Sequence, residues 1–322
     1  IVKNGFQTVL MAPTEILARQ HFVLAKKIFP TQINLALLSS KSENKIKKKI
    51  IDNLKTKKID MVFGTHAIFQ KKITFSNLGF IIIDEQHKFG VRQRKLLSDK
   101  GGKNCDVLLM SATPIPRTLT MSIYGDMDIS IIREKPNNRK EVKTYSKLES
   151  KIEDVINFVK KEIYEGNQIF WVCPLIEVSK KLDHESAVKK FEYLNKIFPN
   201  KVALLHGKIE NDEKEKILNK FLEKKFLILV STTIIEVGID FPNANVIIIE
   251  NSNKFGLSQL HQLRGRVGRG NKQASCILMF KSNLTENAKK RINILKNSND
   301  GFEISEEDMK LRGFGDILGF KQ

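Results

Sequence analysis

An α/β fold of two tandem parallel-sheet domains is what this sequence predicts, and three observations carry the prediction. Short apolar runs alternate with amphipathic stretches, as strand–helix–strand crossover units require. The alternation breaks at a polar stretch from Arg133 to Lys143 that contains Pro136, and then restarts, so this stretch reads as a linker. The chain has 322 residues; at about 150 residues per domain, two domains fit better than one.

The elements follow in order. Thr8 to Ala12, Ile33 to Leu38, Asp60 to Gly64, Phe80 to Asp84 and Asp106 to Met110 are apolar runs and read as strands, with helical stretches such as Thr14 to Ile28 between them. After the linker come helix Lys151 to Tyr164, strand Gln168 to Cys173, helix Asp183 to Phe198, strand Val202 to Leu205 and helix Asp212 to Leu222. Strands Leu227 to Val230, Val246 to Glu250 and Ser275 to Phe280 complete the second sheet. Beyond it, Thr285 to Asn297 reads as a helix, and Ser305, with Asp308 three residues later, as the start of a further short one.

A hydrophobic content of 41% and a charged content of 28% suit a globular chain, and no apolar run approaches the roughly 20 residues that span a bilayer. A cytoplasmic protein without a membrane partner is the expectation. The first residue is Ile1 with no leader-like segment after it, which reads as a cut rather than a processed terminus. A net charge of +19 suits a polyanionic partner such as nucleic acid. A general lysine bias stands beside that reading, with Lys45, Lys47, Lys48 and Lys49 as a solvated helix face. Cys105, Cys173 and Cys276 lie far apart in strand-like segments and read as reduced core residues.

Chemistry concentrates at strand ends. Asp84 and Glu85 follow the run Ile81-Ile82-Ile83; one carboxylate can hold a hydrated magnesium ion while the other orients or deprotonates an attacking water. Solvated strand-end carboxylates are the plainer alternative. His87 can sense a neighbouring segment by hydrogen bonding or simply begin a helix. Ser111 and Thr113 offer two hydroxyls to an adjacent strand mouth, or form a turn before Pro114. Pro13-Thr14 and Gly64-Thr65-His66 suit the phosphates of a nucleic-acid strand and also suit caps and tight turns. Ser231-Thr232-Thr233 and Gly238-Ile239-Asp240 can grip a phosphate and meet a ribose, or form an ordinary glycine turn. Gln262 to Arg269 interleaves arginines with glycines, which permits close approach to an anion; a basic surface loop is the alternative. No Gly-x-x-x-x-Gly-Lys-Ser/Thr loop occurs, and the six histidines show no zinc spacing.

In this order the motifs resemble the superfamily 2 helicases and, within them, the RecG family of branched-DNA helicases. The match runs through Met11 to Ala18, Gly64 to Ala67, Asp84 to His87 with Phe89 to Val91, and Met110 to Thr118. It continues through Trp171 to Glu177, Leu205 to Gly207, Val230 to Pro242 and Gln262 to Arg269. Asp300 to Phe302, Asp308, Leu311 to Gly313 and Gly315 to Gly319 look like the start of the family's translocation hook. The transcription-repair coupling factor shares hook and motor and is the alternative, as is a nucleic-acid-binding remnant without catalysis. Gln86 and the Trp171 to Glu177 segment point to the RecG family, and Gln86-His87 replaces the Ala-Asp ending of DEAD-box RNA helicases.

The resemblance implies two RecA-like domains of the P-loop NTPase motor type, over residues 1–135 and 136–282, and a helical hook from 283 to 322. It implies an ATP-dependent DNA helicase with ATP and Mg2+ as cofactors, acting as a monomeric motor on branched double-stranded DNA. Asp84 is then the magnesium ligand through water, Glu85 the base, and Arg266 with Arg269 the finger charges. Gln86, His87, Ser111, Thr113 and Gln262 would couple the parts, and Gly238 with Asp240 would meet ATP. Pro13, Thr14, Gly64, Thr65, Thr232, Thr233 and Arg312 would face DNA. The family's phosphate loop is expected just upstream of Ile1, with Ile1 to Gly5 as the end of its helix; these residues alone are expected to hydrolyse little ATP.

Overall fold

A computed structural model describes residues 1–39, 43–70, 72–85, 105–112, 128–132, 134, 140–174, 180–232 and 241–312. The chain divides into two compact units. The first contains β1 (Gln7–Met11), α1 (Glu15–Ile28), β2 (Leu35–Leu38), α2 (Asn44–Lys55), β3 (Met61–Gly64), β4 (Leu78–Ile83) and β5 (Asp106–Leu109). Its strands are all parallel, in the order β2-β3-β1-β4-β5.

The central apolar runs become strands because both faces of the sheet are covered at β1, β3 and β4, which rewards continuous hydrophobicity over alternation. Val9, Met11, Val62, Ile81 and Ile83 point to one face, where Leu54 of α2 and Ile68 close a core. Leu10 and Phe63 point to the other, toward Phe22 and Ala25 of α1; the Phe22 and Phe63 rings meet edge to face at 5.7 Å. Gln7 is buried within the strand, and its amide is fully used. It donates to the Leu54 and Ile59 carbonyls at 2.9 and 2.8 Å and accepts from the Ser76 and Asn77 backbone at 2.9 and 3.1 Å.

The second unit contains β6 (Lys143–Leu148), α3 (Ile152–Tyr164), β7 (Gln168–Val172), α4 (Lys180–Ile197), β8 (Val202–Leu205), α5 (Asn211–Leu222), β9 (Ile228–Ser231) and β10 (Ala244–Ile249). Then follow α6 (Leu257–Arg264), β11 (Ser275–Phe280), α7 (Glu286–Asn297) and α8 (Gly301–Arg312). The parallel order is β6-β11-β10-β7-β9-β8. Trp171, Ile169, Val230 and Ile248 pack under Val155 and Val159 of α3 and Ala187 and Leu194 of α4. On the opposite face Phe170, Phe221 of α5 and Phe241 form a triangle of rings with centroids 5.4 to 5.5 Å apart.

Two elements differ from expectation. The strand β6 begins at Lys143, the last residue of the expected linker, and pairs with β11 at the edge of the sheet; its burial alternates between half-buried and exposed, so it lacks an apolar run. The short helix expected at Ser305 starts instead at Gly301, because Asp300 already caps it: Phe302 N donates to Asp300 Oδ1 at 2.8 Å. Among the described residues no helix is long and apolar enough to cross a membrane.

Candidate functional site

In a parallel sheet every carboxyl end lies on one edge, and ligands bind there. In the first unit that edge collects Pro13 and Thr14 after β1, Gly64 and Thr65 after β3, Asp84 and Glu85 after β4, and Ser111 after β5. The ladder extends into these residues: Ala12 N donates to the Gly64 carbonyl at 3.0 Å, Asp84 N to that of Met11 at 2.9 Å and Met110 N to that of Ile83 at 2.8 Å. Position along the chain is thereby converted into position along one edge.

Thr14 caps α1, its hydroxyl accepting from Leu17 N at 3.4 Å. Gly64 is required by close approach. A Cβ there would meet the Leu38 carbonyl oxygen at 2.8 Å and Ile68 Cδ1 at 2.9 Å. Asp84 is held on both oxygens: Oδ1 accepts from Glu85 N at 2.9 Å, and Oδ2 lies 2.8 Å from Nε2 of His21 on α1. Glu85 sits at φ 51, a left-handed conformation that costs a non-glycine residue about 1–2 kcal/mol. Ser111 is exposed at the end of β5. Gln86, His87 and Thr113 lie outside the described residues.

His21 is the residue that sequence reading misses. A lone histidine in an amphipathic helix carries no spacing signal that names a partner in a strand far along the chain. The donor set suits a hydrated magnesium ion: a carboxylate with two oxygens, whereas no group of three His, Cys, Asp or Glu able to hold a metal occurs among the described residues. Magnesium keeps several waters and takes one or two carboxylates alongside substrate phosphates, so such a site needs no all-protein cage.

In the second unit Gln262 and Arg264 lie on α6, and the chain leaves the helix at Gly265. Arg264, 3% exposed, is an anchor: its Nη1 donates to the carbonyls of Leu295 and Ser298 at 2.7 and 2.8 Å, and its Nη2 meets His261 Nδ1 at 3.0 Å. Burial pulls its guanidinium below the ordinary value, with Cys276 and Glu141 acting the other way. Arg291 of α7 donates to the Phe255 carbonyl at 2.8 Å, and Ser258 of α6 donates to Asp308 of α8. The helix that leads into the arginine loop is thus fixed to α7 and α8.

The two arginines paired by the sequence stand in different surroundings. Arg266 is 7% exposed, while Arg269 is exposed. Between them Gly268 turns the chain at φ 72, a conformation that favours glycine; an added Cβ would lie 3.0 Å from that of Ala274. Thr232 is buried at the end of β9. Thr233, Gly238, Asp240 and the side chain of Arg312 lie outside the described residues. Of the Trp171 to Glu177 segment, Trp171 and Cys173 are fully buried beside Glu250, and residues 175–179 lie outside the described residues.

Comparison with known proteins gives two family matches: DEAD/DEAH box helicase over residues 1–122 and helicase conserved C-terminal domain over residues 150–271. The chain is 46% identical over 324 residues to the ATP-dependent DNA helicase RecG of Bacillus subtilis, covering 100% of this chain and 47% of that protein. To RecG of Aquifex aeolicus it is 49% identical over 328 residues, covering 100% and 41%. A solved structure of RecG bound to a three-way DNA junction superposes with a TM-score of 0.77 at 44% identity, covering 97% of this chain and 41% of that one. Yeast Dbp5 bound to RNA and ADP BeF3 shares the fold, at a TM-score of 0.68 and 18% identity. The chain spans less than half the length of these RecG relatives.

Proposed function

Because the chain belongs to the RecG family of superfamily 2 DNA helicases, we propose that it acts as an ATP-driven helicase motor that remodels branched DNA, such as forks and junctions, in recombination and repair. The observation that carries the proposal is the similarity, along 97% of the chain, to a RecG structure bound to a three-way junction. The family names an ATP-dependent activity; magnesium as its companion, a monomeric motor and a cytoplasmic setting belong to the proposal.

The residues take the following parts. Asp84, fixed by His21 and by the Glu85 amide, would hold magnesium through a bridging water. The ion, when bound, neutralises charge on the nucleotide's phosphates. Glu85, next to it, orients the attacking water and accepts its proton on a carboxylate oxygen. Arg269, exposed beyond the Gly268 turn, would bring the finger charge to the transferred phosphate, with Arg266 supporting that loop from its buried position. Gln86, His87, Ser111, Thr113 and Gln262 link nucleotide state to movement, and Gly238 with Asp240 meets the nucleotide. Pro13, Thr14, Gly64, Thr65, Thr233 and Arg312 carry the DNA backbone, with Thr232 supporting them from its buried position.

The test is strand separation on a synthetic fork by the intact protein with ATP and Mg2+, beside the Glu85→Gln variant. Unwinding by the wild type and its loss in the variant is the expected result. Fork binding with no ATP-dependent unwinding in either protein would sink the proposal and leave a nucleic-acid-binding role.

A further inference from the structure

The imidazole of His21 and the carboxylate of Asp84 are far apart in sequence yet 2.8 Å apart in space, with the two side chains 26% and 20% exposed. His21 reaches the strand edge because of where it sits on α1. Ala18, His21 and Ala25 fall at helical spacing on one stripe, and both alanines are buried, 1% and 6% exposed. That stripe therefore faces the sheet, and its two methyl side chains leave room for a ring between them. The same helix begins at Thr14, whose hydroxyl caps it about two turns from His21.

Resting on the function proposed above, we infer that His21 is a positioning residue that fixes the magnesium-holding carboxylate and ties its orientation to the DNA-facing end of α1. Its Nε2–H donates to Asp84 Oδ2 while the Glu85 amide holds Oδ1. A carboxylate offers about four lone-pair sites, so two remain for the water of a hydrated ion. The neutral Nε2–H tautomer and the imidazolium both donate, so the role does not depend on the ring's charge. Hydrogen bonds behind a metal ligand fix its geometry, and removing one typically costs ~10–100-fold in metal affinity. Any shift of α1 on binding a DNA strand at Thr14 is delivered by His21 to the carboxylate, because one rigid helix carries both residues.

The experiment titrates free Mg2+ against binding of fluorescent N-methylanthraniloyl-ADP to the intact protein, without turnover, with and without a synthetic fork. Wild type, His21→Ala, His21→Gln and Asp84→Asn are compared, and melting temperatures show that each is folded. We expect His21→Ala to raise the Mg2+ midpoint ~10–100-fold and to lose the downward shift that the fork produces in the wild type. His21→Gln, whose amide keeps a donor, recovers most of both. A folded His21→Ala whose midpoint and fork response equal those of the wild type overturns the inference. So does a His21→Gln variant that behaves as His21→Ala does. If the wild type binds the nucleotide with no dependence on Mg2+, and Asp84→Asn changes nothing, the function proposal fails first and this one with it.

Discussion

The indole Nε1 of Trp171 donates to Glu250 Oε1 at 2.9 Å inside the second unit, and Lys190 Nζ meets the same oxygen at 2.7 Å while lying 5.5 Å from the centre of the indole ring. One carboxylate thus satisfies an aromatic N–H and a cation at the carboxyl ends of β7 and β10. Trp171 is the only tryptophan of these 322 residues and is fully buried, so within them tryptophan fluorescence reports the second unit.

Glu250→Leu should destabilise the second unit by about 2–3 kcal/mol, because both donors lose their acceptor in a water-poor site. Glu250→Gln should cost less, since its amide oxygen still accepts from Trp171. Urea unfolding followed by tryptophan emission checks the order; equal midpoints for the two variants would refute it.

Arg264→Met should cost about 2–4 kcal/mol, because the Leu295 and Ser298 carbonyls are left buried with that donor gone. Arg264→Lys should recover only part, since one ammonium does not reproduce the planar fork. The same fluorescence assay reads the loss, and a stable Arg264→Met variant would show that α7 holds without this anchor.

Arg269→Ala should slow ATP hydrolysis by the intact protein by ~10³–10⁵-fold, the range typical of a finger arginine, while fork binding stays nearly unchanged. Turnover and fluorescence anisotropy measured on one preparation decide it. Joint loss of both would mean that the exposed arginine contacts DNA.

Cys173 and Cys276 should resist thiol labelling in the native protein, whereas Cys105, partly exposed, should react, slowed by its own raised value. Burial pushes the Cys276 thiol from its ordinary 9.0 up to about 12, with Arg264 opposing. The folded state therefore keeps a proton that the unfolded chain releases. That share of stability is complete below pH 9.0 and is lost as pH rises from there to about 12. Denaturation midpoints should fall across that window, and Cys276→Ala should fall less steeply.

The central strands of both sheets were legible because they are buried on two faces, and continuous runs such as Ile81-Ile82-Ile83 stand out from their surroundings. The edge strand β6 was not, because exposed Lys143, Tyr145 and Lys147 alternate with half-buried Thr144 and Ser146 and leave no apolar run. The strand-end carboxylates and the Gln262 to Arg269 motif were legible as local patterns. Their supports were not: His21 reaches Asp84 across 63 positions and Arg264 reaches Leu295 across 31, and such pairings exist only once the chain is folded. Arg264 shows the reverse problem too, since it reads as one more basic residue of an exposed loop and is a buried clamp.

The bend at Gly268 makes the arginine loop an elbow with a fixed joint. One limb, ending in Arg266, is set into the body of the unit, and the other carries Arg269 outward. Spacing and bend are then separate requirements. Inserting a residue would keep both charges yet rotate the outer limb away from its aim, and replacing Gly268 would keep the count yet stiffen the joint in another direction.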